Sequence, residues 1–297
     1  MGPASAGEWD VNGTALGLVI FAAVVHAGWN LAAKRVDAGA GFVFLYYTVS
    51  AVVCVPVAVT ALVVQHQRPQ WTWLPVALLT AIFHVAYGIV LQRGYRVGDL
   101  SVVYPLARGS GPLLSIVAAV VLLGERPGWL GLAGALLVVA GVLVIGLGPR
   151  SARDARARRA GVFYGLLTGV TIAAYTLWDD HAVNALAVPP LIYFASGAAL
   201  QSVLLAPAAC RAGGGTGLLW RAHWREAVVV GVLSPVAYVL VLYAMRMAPV
   251  SLVAPAREVS IVLGGPAAWL LLDEPNPARR LAGSVVVLAG IAAIAAS

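Results

Sequence analysis

The stretch Ser101–Pro127, SVVYPLARGSGPLLSIVAAVVLLGERP, holds a single charged residue, Arg108, between Leu100 and Gly124. A guanidinium keeps its proton in any protein environment, so an arginine inside so oily a run needs a wet or charged neighbour. A second stretch, SLVAPAREVSIVLGGPAAWLLLDEP at Ser251–Pro275, repeats the pattern. Ser101 aligns with Ser251 and Pro105 with Pro255. After a one-residue gap, Arg108 aligns with Arg257, Glu125 with Glu274, Gly134 with Gly283 and Gly141 with Gly290. The chain contains an internal duplication, and each copy carries one arginine at the same depth.

The rest of the composition says what medium surrounds these runs. Of 297 residues, 61% are hydrophobic and 10% charged, and the mean hydropathy is +0.90. Soluble domains carry roughly 25% charged residues. Charge-free intervals of 23 residues (Asp10 to Lys34), 30 (Asp37 to Arg68) and 24 (Arg68 to Arg93) exceed the ~20 needed by a membrane-spanning helix. The runs are continuous rather than alternating, which excludes a β-barrel. The first is not expected to be a cleaved signal, because its leader MGPASAGEWD is acidic and its core holds His26, Trp29 and Asn30. Cys54 and Cys210 lack metal-ligand spacing and read as small buried hydrophobes.

With Gly, Pro and charge as punctuation, ten helices are expected, at about 14–34, 41–64, 73–93, 99–123, 128–148, 160–179, 188–210, 226–247, 250–272 and 280–296. The fold class is an all-α integral membrane protein: a first five-helix repeat at 1–149, a basic loop RSARDARARR at 150–159, and a second repeat at 160–297. Five is odd, so the second repeat enters from the opposite side and the halves are inverted. Substrate sites of inverted-repeat carriers lie near the midplane between the repeats. Arg108 and Arg257, some nine residues into their helices, stand roughly 13 Å deep in a ~30 Å core.

Net charge +7 would suit nucleic acid only if its distribution were ignored. The basic residues sit in short loops, with fourteen on one side (Lys34, Arg35, Arg93, Arg96, five in 150–159, Arg211, Arg221, Arg225, Arg279 and Arg280) and three on the other (Arg68, Arg126 and Arg246). The positive-inside rule puts the richer side in the cytoplasm and both termini outside.

The segments GWNLAAK (28–34), GERPGWLGLAGALLVVAGVLVI (124–145) and DEPNPARRLAGSVVVLAG (273–290) resemble the EamA family of the drug/metabolite transporter superfamily, and the likeness covers nearly the whole chain. The resemblance implies a ten-helix carrier with a central cavity, exporting or exchanging small metabolites. It also implies cytoplasmic termini, opposite to the charge bias.

Arg108 and Arg257 are the leading candidates for substrate binding. A charge at the centre of a span costs on the order of 3 kcal/mol or more and normally faces a bundle interior or wet cavity, and the planar fork of Arg suits a carboxylate or phosphate-like group. The competing reading is a structural ion pair or brace, with Glu258 as partner. His26, Trp29 and Asn30 on the first helix, His84 and Tyr87 on the third, and Tyr104, Tyr175 and Tyr238 are expected to line the cavity. Trp178 and Tyr243 accompany them. Trp9, Trp71, Trp73, Trp129 and Trp220, near helix ends, read as interfacial anchors. Pro105, Pro112, Pro235 and Pro255 are each expected to kink or unwind a helix. Glycine rows such as Gly131 with Ala135 and Gly165 with Gly169 read as packing surfaces. Glu125 and Glu274 read as structural, each capping the following helix. Glu258, the one carboxylate deep within an expected span, is the candidate proton-coupling residue.

No nucleophile elbow, P-loop or metal-spaced His/Cys/Asp cluster is present, so neither enzymatic activity nor a cofactor or metal is expected. The reading is a secondary active transporter of the cell membrane, working by alternating access on a small anionic or zwitterionic metabolite such as an amino acid. Its expected partners are that substrate, the lipid bilayer and protons as candidate coupling ion, with no nucleic acid, and its state is monomer or homodimer. The rival readings are a non-transporting membrane partner protein and a membrane-embedded enzyme for lipid-linked substrates, which Asp179, Asp180 and His181 would serve only loosely.

Overall fold

A computed structural model describes residues 13–33, 36, 39–98, 100–146, 155–211, 215–263 and 277–297. These form α1 (Gly13–Ala33), α2 (Gly39–Val64), α3 (Trp73–Val97), α4 (Leu100–Ala118), α5 (Gly128–Gly146), α6 (Ala155–Asn184), α7 (Pro190–Arg211), α8 (Gly215–Met245), α9 (Val250–Ala256) and α10 (Pro277–Ala295). There is no strand among the described residues. Among the described residues, eight helices are long and apolar enough to cross a membrane, and Leu281–Ala295 is a shorter apolar helix. The expected span 250–272 is described only to residue 263, so the described residues carry eight of the ten expected crossings at full length. Trp9, Glu274 and residues 147–154 lie outside the described residues.

The inverted duplication is visible where α5 meets α10. A Cβ added at Gly134 would come within 2.6 Å of the Gly290 carbonyl oxygen, and one at Gly141 within 2.7 Å of the Gly283 oxygen. Residue number rises along α5 as it falls along α10, so the two helices are antiparallel. Gly134 is the repeat counterpart of Gly283 and Gly141 of Gly290. A two-fold rotation exchanging the halves therefore carries the first contact onto the second. Only glycine allows helix backbones this close. Around this pair, α4 packs on α6, α1 on α8, and α2 and α3 on α7.

Helix ends differ from expectation where the membrane no longer dictates them. α6 starts at Ala155, inside the segment assigned to a loop, and continues five residues past Asp179. Arginine and alanine are good helix formers, and a helix need not stop at the bilayer surface. α8 starts at Gly215 and is broken at His223 (φ −133°, ψ 27°) before its membrane part. Of the four prolines expected to distort their helices, Pro105 and Pro112 lie within continuous α4 and Pro235 within α8. Only Pro255 coincides with a break: α9 ends one residue later, Arg257 and Glu258 form a turn, and helix resumes at 259.

α4 continues as one wide π-helical turn, Ala119–Leu123, ending at Gly124 in the left-handed conformation (φ 70°). The Glu125 carboxylate that follows does cap a helix, but not the next one. Its Oε1 accepts from the Val250 N–H (2.8 Å) and its Oε2 from the Ser251 N–H (2.9 Å), satisfying two orphan donors at the start of α9. The repeat-related helices α4 and α9 are packed together, which brings this turn to the other half of the chain. Cys54 is buried as expected, whereas Cys210, at the last turn of α7, is exposed.

Candidate functional site

Arg108 sits on α4 one turn beyond Tyr104. Its Nη1 is 3.4 Å from Glu258 Oε1, its Nη2 is 3.4 Å from His26 Nε2, and its guanidinium carbon lies 5.9 Å from the Tyr104 ring centre. Charge-assisted N–H···O bonds are ordinarily about 2.7–2.9 Å, so this ion pair is a loose one. The other Glu258 oxygen, Oε2, is buried and has no hydrogen-bond partner among the described residues. Arg257, 9% exposed, occupies the turn after α9. Among the described residues its guanidinium has no hydrogen bond or ion pair, and its electrostatic neighbours are Tyr175, Glu258, Tyr238 and Arg108. The break puts two cations and one carboxylate from opposite repeats into one space. The remaining wall is aromatic: Tyr87 and Tyr175 meet edge to face at 5.7 Å, and Tyr175 stacks on His84 at 4.3 Å.

A second polar centre adjoins the first, and the sequence reading missed it. Asp179 is fully buried and accepts three hydroxyl bonds. Thr80 Oγ1 donates at 2.7 Å and Tyr193 at 2.5 Å to its Oδ1, and Tyr238 donates to its Oδ2. The Tyr238 oxygen is also 3.0 Å from His84 Nε2. On the other side of the ring, His84 Nδ1 faces the Thr80 carbonyl at 2.9 Å and Thr80 Oγ1 at 3.2 Å. Helices α3, α6, α7 and α8 all meet at this carboxylate.

Of the residues expected to line a cavity, Arg108, Arg257, His26, Tyr104, Tyr87, Tyr175, His84 and Tyr238 fall within these two adjoining centres. Trp29 touches the His26 ring at 4.5 Å but packs into the cluster around Phe42 and Ala227, with its Nε1 buried and without a hydrogen-bond partner among the described residues. Asn30 makes no hydrogen bond among the described residues. Trp178 is tied to α3 through the Val76 carbonyl (3.1 Å), and Tyr243 faces outward at 41% exposure. The trio Asp179, Asp180 and His181 does not converge. Asp180 accepts from Asn184 (2.8 Å), and His181 is exposed, its ring beside Trp178. No group of three or more His, Cys, Asp and Glu among the described residues could hold a metal ion.

The sequence matches the EamA-like transporter family twice, over residues 13–147 and 159–296. The chain belongs to that family. This EamA-like transporter shares its fold with a solved crystal structure at TM-score 0.71, with 19% identity over 94% of this chain and 95% of the other. No curated protein sequence matches it. A multi-pass membrane transporter of small molecules is therefore the setting in which the two polar centres act.

Proposed function

We propose that this EamA-like transporter is a secondary active carrier, exporting or exchanging a small anionic or zwitterionic metabolite such as an amino acid by alternating access between its inverted halves. The observation that carries the reading is the unsaturated charge at the helix break. Arg108 is held by Glu258 only at 3.4 Å, one Glu258 oxygen is unpartnered, and Arg257 has no partner among the described residues. A carboxylate entering between the arginines would find two guanidinium forks at the expected midplane depth. It would compete with Glu258 for Arg108. Glu258, set free inside a low-dielectric space, would then take up a proton or turn to Arg257. Substrate and proton occupancy are linked in that exchange. His26 and Tyr104 hold the Arg108 guanidinium in place, and Tyr87 and Tyr175 offer rings to the substrate's apolar part.

Saturable counterflow of labelled amino acids in proteoliposomes tests the activity. Arg108→Lys should fold but transport about tenfold more slowly, because an ammonium cannot reproduce the fork and forfeits at least one charge-assisted bond. Wild-type rates in that variant, or a substrate without an acidic group, would overturn the reading.

A further inference from the structure

The bonds around His84 admit a count of protons. His84 Nδ1 lies 2.9 Å from the Thr80 carbonyl oxygen, which only accepts, so Nδ1 carries hydrogen. The Thr80 hydroxyl cannot supply it, since its own hydrogen points to Asp179 Oδ1 at 2.7 Å. On the far side, the single Tyr238 hydroxyl hydrogen must serve two contacts, His84 Nε2 at 3.0 Å and Asp179 Oδ2. Were His84 neutral and Asp179 ionised, Nε2 and Oδ2 would both be acceptors, and one contact would join two lone pairs. Assigning the neutral imidazole hydrogen to Nε2 instead sets a bare Nδ1 against the Thr80 carbonyl. Every contact is satisfied only if the chain of groups holds one further proton.

We infer that Asp179, Tyr238 and His84 together form a proton-loading site, separate from Glu258, that holds one proton shared across the Tyr238 hydroxyl. The two forms interconvert without change of total charge. In one, imidazolium Nε2–H donates to Tyr238, whose hydroxyl donates to the Asp179 carboxylate. In the other, the hydrogen passes from Nε2 to the phenol oxygen as the phenol hydrogen passes to Oδ2, leaving neutral imidazole and carboxylic acid. Asp179 is fully enclosed while His84 and Tyr238 are half-buried, so the proton arrives at the imidazole. Among the described residues, the titratable and charged groups facing the site are Tyr87 from α3, Tyr175 and Asp180 from α6, Tyr193 from α7, and Arg257 from the break beyond α9. Tyr175 stacks on His84 and has Arg257, Arg108 and Glu258 as electrostatic neighbours. Loading or unloading therefore changes the charge beside the arginines by one.

The probe is the proton alone, on the purified full-length chain, so the outcome does not depend on which metabolite is carried. A pH-jump infrared difference spectrum, with the protons released counted in weak buffer, should show one proton leaving a coupled carboxyl and imidazole pair as pH rises. Asp179→Asn and His84→Gln should each abolish that signal, because the new amide N–H supplies the hydrogen that the bound proton supplied. Glu258→Gln should keep it. A wild type without the coupled signal would overturn the site, as would persistence of the signal in either folded variant. Should both variants fail to fold, Tyr238→Phe decides: loss of the shared hydroxyl must split the single coupled transition into two independent ones, and an unchanged spectrum overturns the assignment.

Discussion

Asp179 and Glu258 are buried to nearly the same extent, at 0% and 1% exposure, yet their surroundings differ in kind. Asp179 has three hydroxyl donors from three other helices. Glu258 has one loose contact to the Arg108 guanidinium and an oxygen that meets no donor among the described residues. A buried carboxylate stabilises only when its lone pairs are met, so the first is built into the scaffold and the second is left with unused capacity. Burial alone does not separate them. The distinguishing quantity is how many donors each oxygen already has.

Truncating each carboxylate measures that contrast. Asp179→Ala strands the hydroxyls of Thr80 and Tyr193 inside the bundle, while Tyr238 can still donate to His84 Nε2, and each unmet donor costs about 1–3 kcal/mol. A loss of about 3 kcal/mol or more is expected in reversible unfolding from detergent micelles, and an unchanged stability would erase the contrast. Tyr193→Phe removes one donor of the three and should cost about 1 kcal/mol by the same measurement. Glu258→Gln keeps the side-chain shape and an oxygen that can accept from Arg108, so it should cost less stability than Asp179→Ala, while transport in proteoliposomes should lose its response to an imposed pH gradient. A Glu258→Gln protein that unfolds as readily as Asp179→Ala would show the pair to be a brace, and one that responds to the gradient as the wild type does would acquit Glu258 of proton coupling.

The sequence carried the membrane class and the duplication plainly, because an apolar run has few alternatives to spanning a bilayer and aligned Pro, Arg and Gly are hard to arrange by chance. It carried Arg108, Arg257 and Glu258 for the same reason: a charge in an oily run stands out. Asp179 did not stand out, because the pair Asp179–Asp180 looked like the polar end of the helix at 160–179. The helix in fact continues to Asn184, and the acid is enclosed by hydroxyls from Thr80, Tyr193 and Tyr238, far away in sequence. Two signals pointed to it: the apolar residues Ala182 and Val183 beyond the pair, and Thr80 with His84, a polar couple one helical turn apart in the middle of a span. The break at Arg257 was legible only in part, since Pro255 was expected to unwind its helix but so were Pro105, Pro112 and Pro235. Pro105 and Pro255 occupy equivalent places, yet α4 continues through its proline while α9 stops, so the difference lies in what packs around each helix rather than in the proline itself.

The crossing of α5 and α10 has a consequence for how this chain can change over generations. Gly134 and Gly141 of one half rest against the backbone of Gly290 and Gly283 of the other, and rotation by the pseudo-two-fold maps one contact onto the other. A methyl group gained at Gly134 would press on the Gly290 carbonyl, and one gained at Gly283 would press on Gly141 in the same manner. Neither half can enlarge its seam and leave the other to adjust. The two copies may drift apart at their loops, lipid-facing surfaces and substrate residues, but along this line they remain bound to a common inheritance.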